Sequence, residues 1–119
     1  MVTVPLPSRG EVWLVNFDPA VGGEIRKLRP AIVVSVDTIG RLPLRLVVPV
    51  KDWKTQYVNY PWFVELSSDS VNGLVKKSGA DAFQTKSISL SRFVRRLGNV
   101  NTSEVNAVAS AIALCVDAP

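Results

Sequence analysis

The sequence predicts a small, mainly β fold of the α+β class, a barrel or sandwich of short strands with one C-terminal helix. Two observations support this. Short runs rich in β-branched and aromatic residues are separated by proline, glycine and aspartate, a pattern typical of strands joined by turns. Near the end of the chain, apolar residues instead recur with the spacing of a helix.

Each strand is predicted from one apolar run. The first covers residues 12–17 (VWLVNF) and ends at Asp18 and Pro19; the second covers residues 31–36 (AIVVSV) and follows a proline. The third covers residues 44–50, where Pro49 predicts an edge strand or a bulge. Further strands are predicted at residues 62–66, 73–76 and 80–85.

A helix is predicted to follow Asn101, a good N-cap residue with Glu104 three positions later as its capping-box partner. Its apolar face comprises Val105, Val108, Ala109, Ile112, Cys115 and Val116. We interpret Cys115 as part of the core rather than as a nucleophile, because free cysteine is usually buried.

Size and composition limit the possible classes of protein. A chain of 119 residues predicts one domain, 1–119, and 47% apolar with 20% charged residues predicts a folded protein. We find no membrane span and no secretion signal. The single cysteine excludes an intramolecular disulfide. Together these features favour a cytoplasmic protein.

The charge distribution favours a polyanionic partner. The formal net charge is +4, and residues 70–101 contain six basic residues but one acid, Asp81. Basic segments of this kind are typical of nucleic-acid binding, although a soluble charged surface would also explain them.

Several catalytic classes are excluded by what the sequence lacks. Without histidine, there can be no serine–histidine or cysteine–histidine nucleophile, and the commonest metal ligand is missing. No glycine-rich phosphate loop or dinucleotide motif occurs. An enzyme with this sequence would work without histidine, and we expect no metal and no cofactor.

The segment between the first two predicted strands is unusually charged. Glu24, Arg26, Lys27 and Arg29 follow a Gly-Gly pair. The planar guanidinium of arginine matches a phosphate, and Arg29 should be the best fixed because it precedes Pro30. On these residues alone, an ordinary solvated turn remains the alternative.

The order of several motifs resembles the MazF/PemK (Kid) toxin family. The matching segments are residues 9–13 (RGEVW), 17–19 (FDP), 22–30 (GGEIRKLRP), 33–35 (VVS), 48–53 (VPVKDW), 84–88 (QTKSI), 91–93 (SRF), 97–98 (LG) and the final helix. The resemblance implies an SH3-like barrel, usually a homodimer, that cleaves single-stranded RNA without a metal. It also implies an antitoxin whose acidic, flexible tail fills the RNA groove.

The resemblance also assigns roles to the charged residues. Glu24 would take a proton from the 2′-hydroxyl of RNA, and Arg29 would stabilise the charge that develops on the phosphate. Lys51 stands where many members of the family have threonine or serine. It could bind the phosphate, donate a proton or weaken catalysis; we predict a phosphate contact.

Other residues are predicted to bind RNA: Arg26, Lys27, Trp53, Lys54, Gln84, Lys86 and Ser87. Trp53 and Tyr57 could stack on bases or could be core or dimer contacts, whereas Trp62 is expected in the core. Two other functions remain open. One is an RNA-binding homologue with a silent active site, and the other is a toxin of this fold that acts on a protein such as a topoisomerase.

Overall fold

The computed structural model describes residues 6–119 and contains, within them, seven strands and one α-helix. The strands are β1 (Glu11–Asn16), β2 (Leu28–Val33), β3 (Leu44–Asp52), β4 (Phe63–Leu66), β5 (Ser78–Asp81), β6 (Lys86–Ser89) and β7 (Phe93–Asn99), and the helix is α1 (Thr102–Cys115). Short 3-10 helices occur at Thr55–Asn59, Ala82–Gln84 and Leu90–Arg92. The predicted class, mainly β with a C-terminal helix, is confirmed.

The strands form an open antiparallel sheet rather than a closed barrel. Their order is β4-β5-β3-β2-β1-β7, and β6 pairs with β3 outside this path. Among the described residues, β4 pairs with β5 alone and β7 with β1 alone, so the two ends of the path do not meet. The prediction of a closed barrel is therefore wrong: the seven strands form one open sheet.

Strand β3 is the centre of the sheet, which contradicts the prediction of an edge strand from Pro49. β6 pairs with β3 as far as Val47, and β5 pairs with it from Val50 onward. Pro49 lies between these two ladders, so neither requires an N–H group from it. Four residues, 82–85, separate β5 from β6, and the first three of them, Ala82–Gln84, form a 3-10 helix at this break.

Other strand boundaries differ because hydrogen-bond ladders extend beyond the apolar runs. β2 begins at Leu28 rather than residue 31, since Asn16 and Leu28 are still paired. Residues 73–76 form an irregular segment with a bend and not a strand, and the predicted strand 80–85 begins earlier and ends at Asp81. β6 and β7 were not predicted because polar and charged residues fill much of their sequence.

Two groups of buried residues hold the fold together. One lies between the sheet and α1 and includes Val12, Ile32, Val48, Leu66 and Val108. The other lies on the far side of β1 and β2 and comprises Trp13, Val15, Phe17, Ile25, Ala31, Val33, Val47 and Ile88. Burial of such side chains is the main stabilising contribution to a domain of this size.

The capping box at the start of α1 is confirmed. The Asn101 side chain accepts a hydrogen bond from the Glu104 N–H, and the Glu104 carboxylate accepts one from the Asn101 N–H. Val116 is exposed just beyond the helix, contrary to its predicted place on the apolar face. Cys115 is half-buried, and burial raises the pKa of its thiol, which opposes a role as nucleophile.

No helix among residues 6–119 is long and apolar enough to cross a membrane.

Candidate active site and nucleic-acid interface

Strands β2 and β3 bring Arg29 and Lys51 together. Ala31 is paired with Pro49 in the β2–β3 ladder. Two residues further along each strand, continuation of this antiparallel register places Arg29 opposite Lys51. Both line a cavity of about 370 Å³, here called the β2–β3 cavity, together with Asp52, Lys54 and Tyr57. Two residues that are 22 positions apart in the sequence thus contribute to one basic site.

Arg29 has much of its guanidinium group available for a ligand. Its Nε donates to the carbonyl of Arg26 at 3.3 Å. Its two terminal nitrogens make no hydrogen bond or ion pair with any other of residues 6–119. The side chain is half-buried, so the guanidinium is held near the cavity while its outer edge stays open. This arrangement suits recognition of a phosphate by two parallel hydrogen bonds.

Lys51 is held by a buried carboxylate that the sequence analysis did not assign to the site. The Lys51 Nζ lies 3.1 Å from Oδ2 of Asp81, which is 5% exposed. The other Asp81 oxygen accepts a hydrogen bond from the Phe83 N–H. The available signal in the sequence was that Asp81 is the one acid in the basic segment 70–101. A buried acid there requires a nearby cation.

The loop between β1 and β2 is anchored, although its Gly-Gly pair predicts flexibility. The Gln84 amide bridges to it twice: Oε1 accepts from the Ile25 N–H at 3.1 Å, and Nε2 donates to the Gly23 carbonyl at 2.9 Å. The side chain of Ile25 is buried. At the base of the loop, Asp18 accepts from the N–H of Lys27. The loop is therefore positioned by contacts distant in sequence.

Glu24 lies on the exposed side of this loop and faces Lys86. Its Oε1 accepts from the Val21 N–H at 2.7 Å, and its Oε2 is 3.6 Å from the Lys86 Nζ. The hydrogen bond from Val21, followed by the charge of Lys86, lowers the pKa of Glu24 below its ordinary value. The carboxylate is consequently ionised at neutral pH.

The predicted catalytic residues thus fall into two groups. Arg29 and Lys51 line the β2–β3 cavity, whereas Glu24 is grouped with Gln84 and Lys86 and does not line that cavity. Three further predicted RNA-binding residues are exposed or largely exposed on the same loop and on β6: Arg26, Lys27 and Ser87. Arg26 donates to the Gly22 carbonyl, and Lys27 has a positive φ of 69°.

A cleft lined by aromatic side chains adjoins the β2–β3 cavity. It has a volume of about 440 Å³ and is lined by Trp53, Tyr57, Tyr60 and Phe63, among others. Tyr57 lines both this aromatic cleft and the β2–β3 cavity, so the two are adjacent. The Nζ of Lys77 lies 5.7 Å from the ring centroid of Trp53, which places positive charge beside the cleft.

The aromatic residues differ from expectation in their availability. Tyr57 is buried, with its ring stacked on Phe63 at 3.9 Å between centroids, which leaves little surface for a base. Trp62 is half-buried, belongs to neither group of buried core residues and stacks on Tyr60 at 5.0 Å between centroids, so its predicted place in the core is wrong. Trp53 is half-buried, lines the aromatic cleft and remains the best placed of these rings to meet a ligand.

Within residues 6–119 there is no cluster of three or more acidic, cysteine or histidine side chains that could hold a metal ion.

Comparison with known proteins identifies the family. The model of the family described as PemK-like, MazF-like toxin of type II toxin-antitoxin system matches residues 8–116. Endoribonuclease MazF9 of Mycobacterium tuberculosis is 37% identical over 115 residues, which cover 92% of this chain and 95% of that protein.

Solved structures share the fold. MazF from Deinococcus radiodurans aligns with a TM-score of 0.80 at 23% identity and covers 96% of this chain and 99% of that one. An endoribonuclease from a mycobacterial species, in complex with its cognate antitoxin, aligns with a TM-score of 0.72 at 18% identity, covering 95% and 97%. Since the family model spans nearly the whole chain, this protein belongs to the PemK-like, MazF-like toxins of type II toxin–antitoxin systems.

Proposed function

We propose that this chain, acting as a single toxin domain over residues 1–119, is a metal-independent endoribonuclease that cuts single-stranded RNA at selected sequences. The observation that carries the proposal is the convergence of Arg29 and Lys51 on one cavity, with the outer edge of the Arg29 guanidinium open. The naming of the similar MazF9 protein as an endoribonuclease supports the same activity.

The chemistry requires little from the protein because RNA carries its own nucleophile. The 2′-hydroxyl oxygen attacks the adjacent phosphorus, and the bond from phosphorus to the 5′ oxygen breaks. The products are a 2′,3′-cyclic phosphate and a 5′-hydroxyl. The enzyme must take one proton, supply another to the leaving oxygen and stabilise charge on the phosphate oxygens.

Arg29 and Lys51 supply the charge in this proposal. The Arg29 guanidinium binds two phosphate oxygens, and it strengthens its hold as negative charge develops on them. The Lys51 ammonium donates one hydrogen bond to Asp81, which leaves two donors for the substrate. Asp81 thus holds the lysine in place while its remaining N–H groups reach the phosphate.

Glu24 is the proposed general base. It is ionised at neutral pH, as a base requires, although its lowered pKa makes the carboxylate a weaker base. Asp52 lines the β2–β3 cavity itself and provides a direct comparison. If Glu24→Gln cuts RNA as fast as the wild type while Asp52→Asn is inactive, the base is Asp52 and the assignment of Glu24 is wrong.

The remaining predicted contacts outline a path for RNA beside the β2–β3 cavity and the aromatic cleft. Trp53 and Lys54 extend this path: a base can stack on the Trp53 indole in the aromatic cleft, and a phosphate can bind the Lys54 ammonium in the β2–β3 cavity. Arg26 and Lys27 lie on the loop between β1 and β2, and Lys86 and Ser87 lie on β6. Gln84 acts by positioning the loop, because both ends of its amide are bonded to it.

The proposed partners follow from the same groove. A cognate antitoxin with an acidic, flexible tail would compete with RNA for these cations, and a similar fold has been solved with its cognate antitoxin. We also propose that two copies form a homodimer. We further propose that the protein acts in the cytoplasm, where RNA is available and its one cysteine remains reduced.

The decisive experiment incubates the purified protein with a long RNA in EDTA and maps the new ends. Defined cuts with 5′-hydroxyl ends are expected. Intact RNA with salt-sensitive binding would instead indicate a silent RNA-binding homologue. Intact RNA without binding would favour a protein target such as a topoisomerase.

Arg29→Ala tests the site within the same assay. We expect the cutting rate to fall about a hundredfold to a thousandfold, as when one stabilising donor is removed from a transition state. Arg41→Ala is the matched control, because Arg41 is exposed and lines neither the β2–β3 cavity nor the aromatic cleft. Equal rates for the two variants would refute the role of Arg29.

A further inference from the structure

A second basic cavity adjoins the β2–β3 cavity. It has a volume of about 240 Å³ and lies between β7 and the turn at residues 67–77; we call it the β7 cavity. It shares Arg29, Lys51 and Asp52 with the β2–β3 cavity. Two additional basic residues, Lys76 and Arg95, line it, and neither belongs to the site described above.

The wall of this cavity is preformed by a tightly held turn. The Asn72 side chain is fully buried, donates to the Ser67 carbonyl and accepts from the Leu74 N–H. The turn lies against β7 so closely that a Cβ atom on Gly73 would be 2.2 Å from the Leu97 carbonyl oxygen. Because the Asn72 hydrogen bonds and the close packing of Gly73 fix the backbone of this segment, the Lys76 side chain starts from a defined point on the rim of the β7 cavity.

Arg95 presents a cation that the fold does not use. It is exposed, and its guanidinium makes no hydrogen bond or ion pair with any other of residues 6–119. Arg95 pairs with Leu14 on β1, and the next residue of β1, Val15, pairs with Arg29 on β2. Since consecutive residues of a strand face opposite sides of the sheet, Arg95 shares its face with Leu14 and Pro30 rather than with Arg29, so the two guanidinium groups are available to two different phosphates.

Lys76 is also available to a ligand. Its Nζ lies 3.1 Å from a carboxylate oxygen of Asp52, but both side chains are more than half exposed. An exposed pair of this kind contributes little to stability, so an incoming phosphate can displace the carboxylate. Between the two cations the wall is apolar, formed by Leu14, Pro30, Leu74 and Leu97.

We propose that the β7 cavity binds the phosphodiester group next to the one that is cut, with Arg95 and Lys76 as its ligands and the intervening sugar against the apolar wall. This inference rests on the proposed ribonuclease function. A strand whose phosphate is bound by Arg29 and Lys51 continues directly into the β7 cavity, because those two residues line both spaces. The cavity volume suits one sugar–phosphate unit rather than a folded partner.

The test compares Arg95→Ala with Arg96→Ala. Arg96 is the next residue on the same strand, bears the same charge and is exposed, but it lies 3.4 Å from Glu11 and lines no part of the β7 cavity. The probe is a single-stranded RNA with a 2′-deoxy nucleotide at the mapped cleavage site, which binds without being cut. Affinity is measured from low to moderate salt.

Arg95→Ala should bind this RNA roughly tenfold more weakly than Arg96→Ala at low salt, since it loses a charge-assisted phosphate contact. Its plot of log affinity against log salt should be shallower by about 0.7, the value for one phosphate contact on a single strand. In cleavage assays, a neutral methylphosphonate next to the scissile bond should slow the wild type but not slow Arg95→Ala further.

Equal affinity and equal salt dependence for the two variants would overturn the proposal. If Arg95→Ala keeps its affinity for RNA but loses affinity for the antitoxin, the cavity belongs to the antitoxin and the proposal is also wrong. A wild-type protein that cuts RNA while both variants behave alike leaves the ribonuclease function intact and removes only this subsite. A wild type that neither binds nor cuts RNA refutes both.

Discussion

Replacement of Lys51 should have two separable effects, one on stability and one on RNA binding. Lys51→Met leaves the Asp81 carboxylate 5% exposed, without its cation and with the Phe83 N–H as its remaining donor. The double variant Lys51→Met/Asp81→Asn also removes the buried negative charge. Both variants lack the ammonium group that we propose binds phosphate.

The size of the stability effect follows from the geometry of the pair. At 3.1 Å, two unit charges attract with about 5 kcal/mol at an effective dielectric constant of 20. Breaking a buried pair by removing one partner commonly costs about 3–5 kcal/mol, and the 28% exposure of the Lys51 side chain lowers this to about 2–3 kcal/mol. The Tm should fall by roughly 8–12 °C.

The assay combines thermal unfolding with RNA binding. Lys51→Met should be destabilised by the amount above, and the double variant should recover to within about 1 kcal/mol of the wild type, because no buried charge remains. RNA affinity should fall roughly tenfold in both, since each loses one charge-assisted contact. Lys54→Met is the control for stability, because Lys54 lines the same cavity but is exposed.

Two results would refute this reasoning. If the double variant is as unstable as Lys51→Met, the cost does not come from an orphaned carboxylate on Asp81. If RNA affinity and cleavage are unchanged in both variants, Lys51 does not contact phosphate, and the lysine serves the fold alone.

Three further predictions concern the loop and the turn beside the site. Lys86→Ala should raise the pKa of Glu24 toward its ordinary value, so the acid limb of the pH–rate profile should move to higher pH; an unmoved limb would exclude Glu24 as the titrating base. Gln84→Leu removes both hydrogen bonds to the loop, so it should lower kcat and speed hydrogen exchange of the Ile25 amide at nearly unchanged Tm. Full activity with unchanged exchange would contradict the positioning role of Gln84. Asn72→Ala should reduce the free energy of unfolding by about 2–4 kcal/mol in denaturant titrations, because it leaves buried backbone groups unpaired; a loss below about 1 kcal/mol would refute this.

The sequence was sufficient to predict the class of fold and the strands that are apolar. Residues 12–17 and 44–50 gave β1 and β3 nearly complete, and the Asn101 capping box located the start of α1. Charged strands escaped prediction because hydrophobic periodicity reports burial, whereas β7 keeps its place through its ladder with β1. The sequence could not show whether the sheet closes into a barrel, because closure depends on whether the two outermost strands, here β4 and β7, pair with each other.

The candidate site was predicted in part. Arg29 and Lys51 were identified from their motifs, and the structure explains their convergence through the β2–β3 register. Asp81 and Arg95 were not identified, because a buried partner and an unused cation are recognisable only when neighbouring strands are in place. Glu24 was identified but its pairing with Lys86 was not, since 62 residues separate them in the sequence.

The long-range anchors of the β1–β2 loop bear on the time at which the protein becomes active during synthesis. Gln84 and Lys86, which hold Gly23, Glu24 and Ile25, are added about sixty residues after that loop. At roughly 5–20 residues per second, translation takes about 3–12 seconds to reach them. A nascent chain therefore lacks these long-range anchors of the loop until translation has passed Lys86. For a protein that attacks RNA, this order of assembly would delay activity until synthesis of the chain is well advanced.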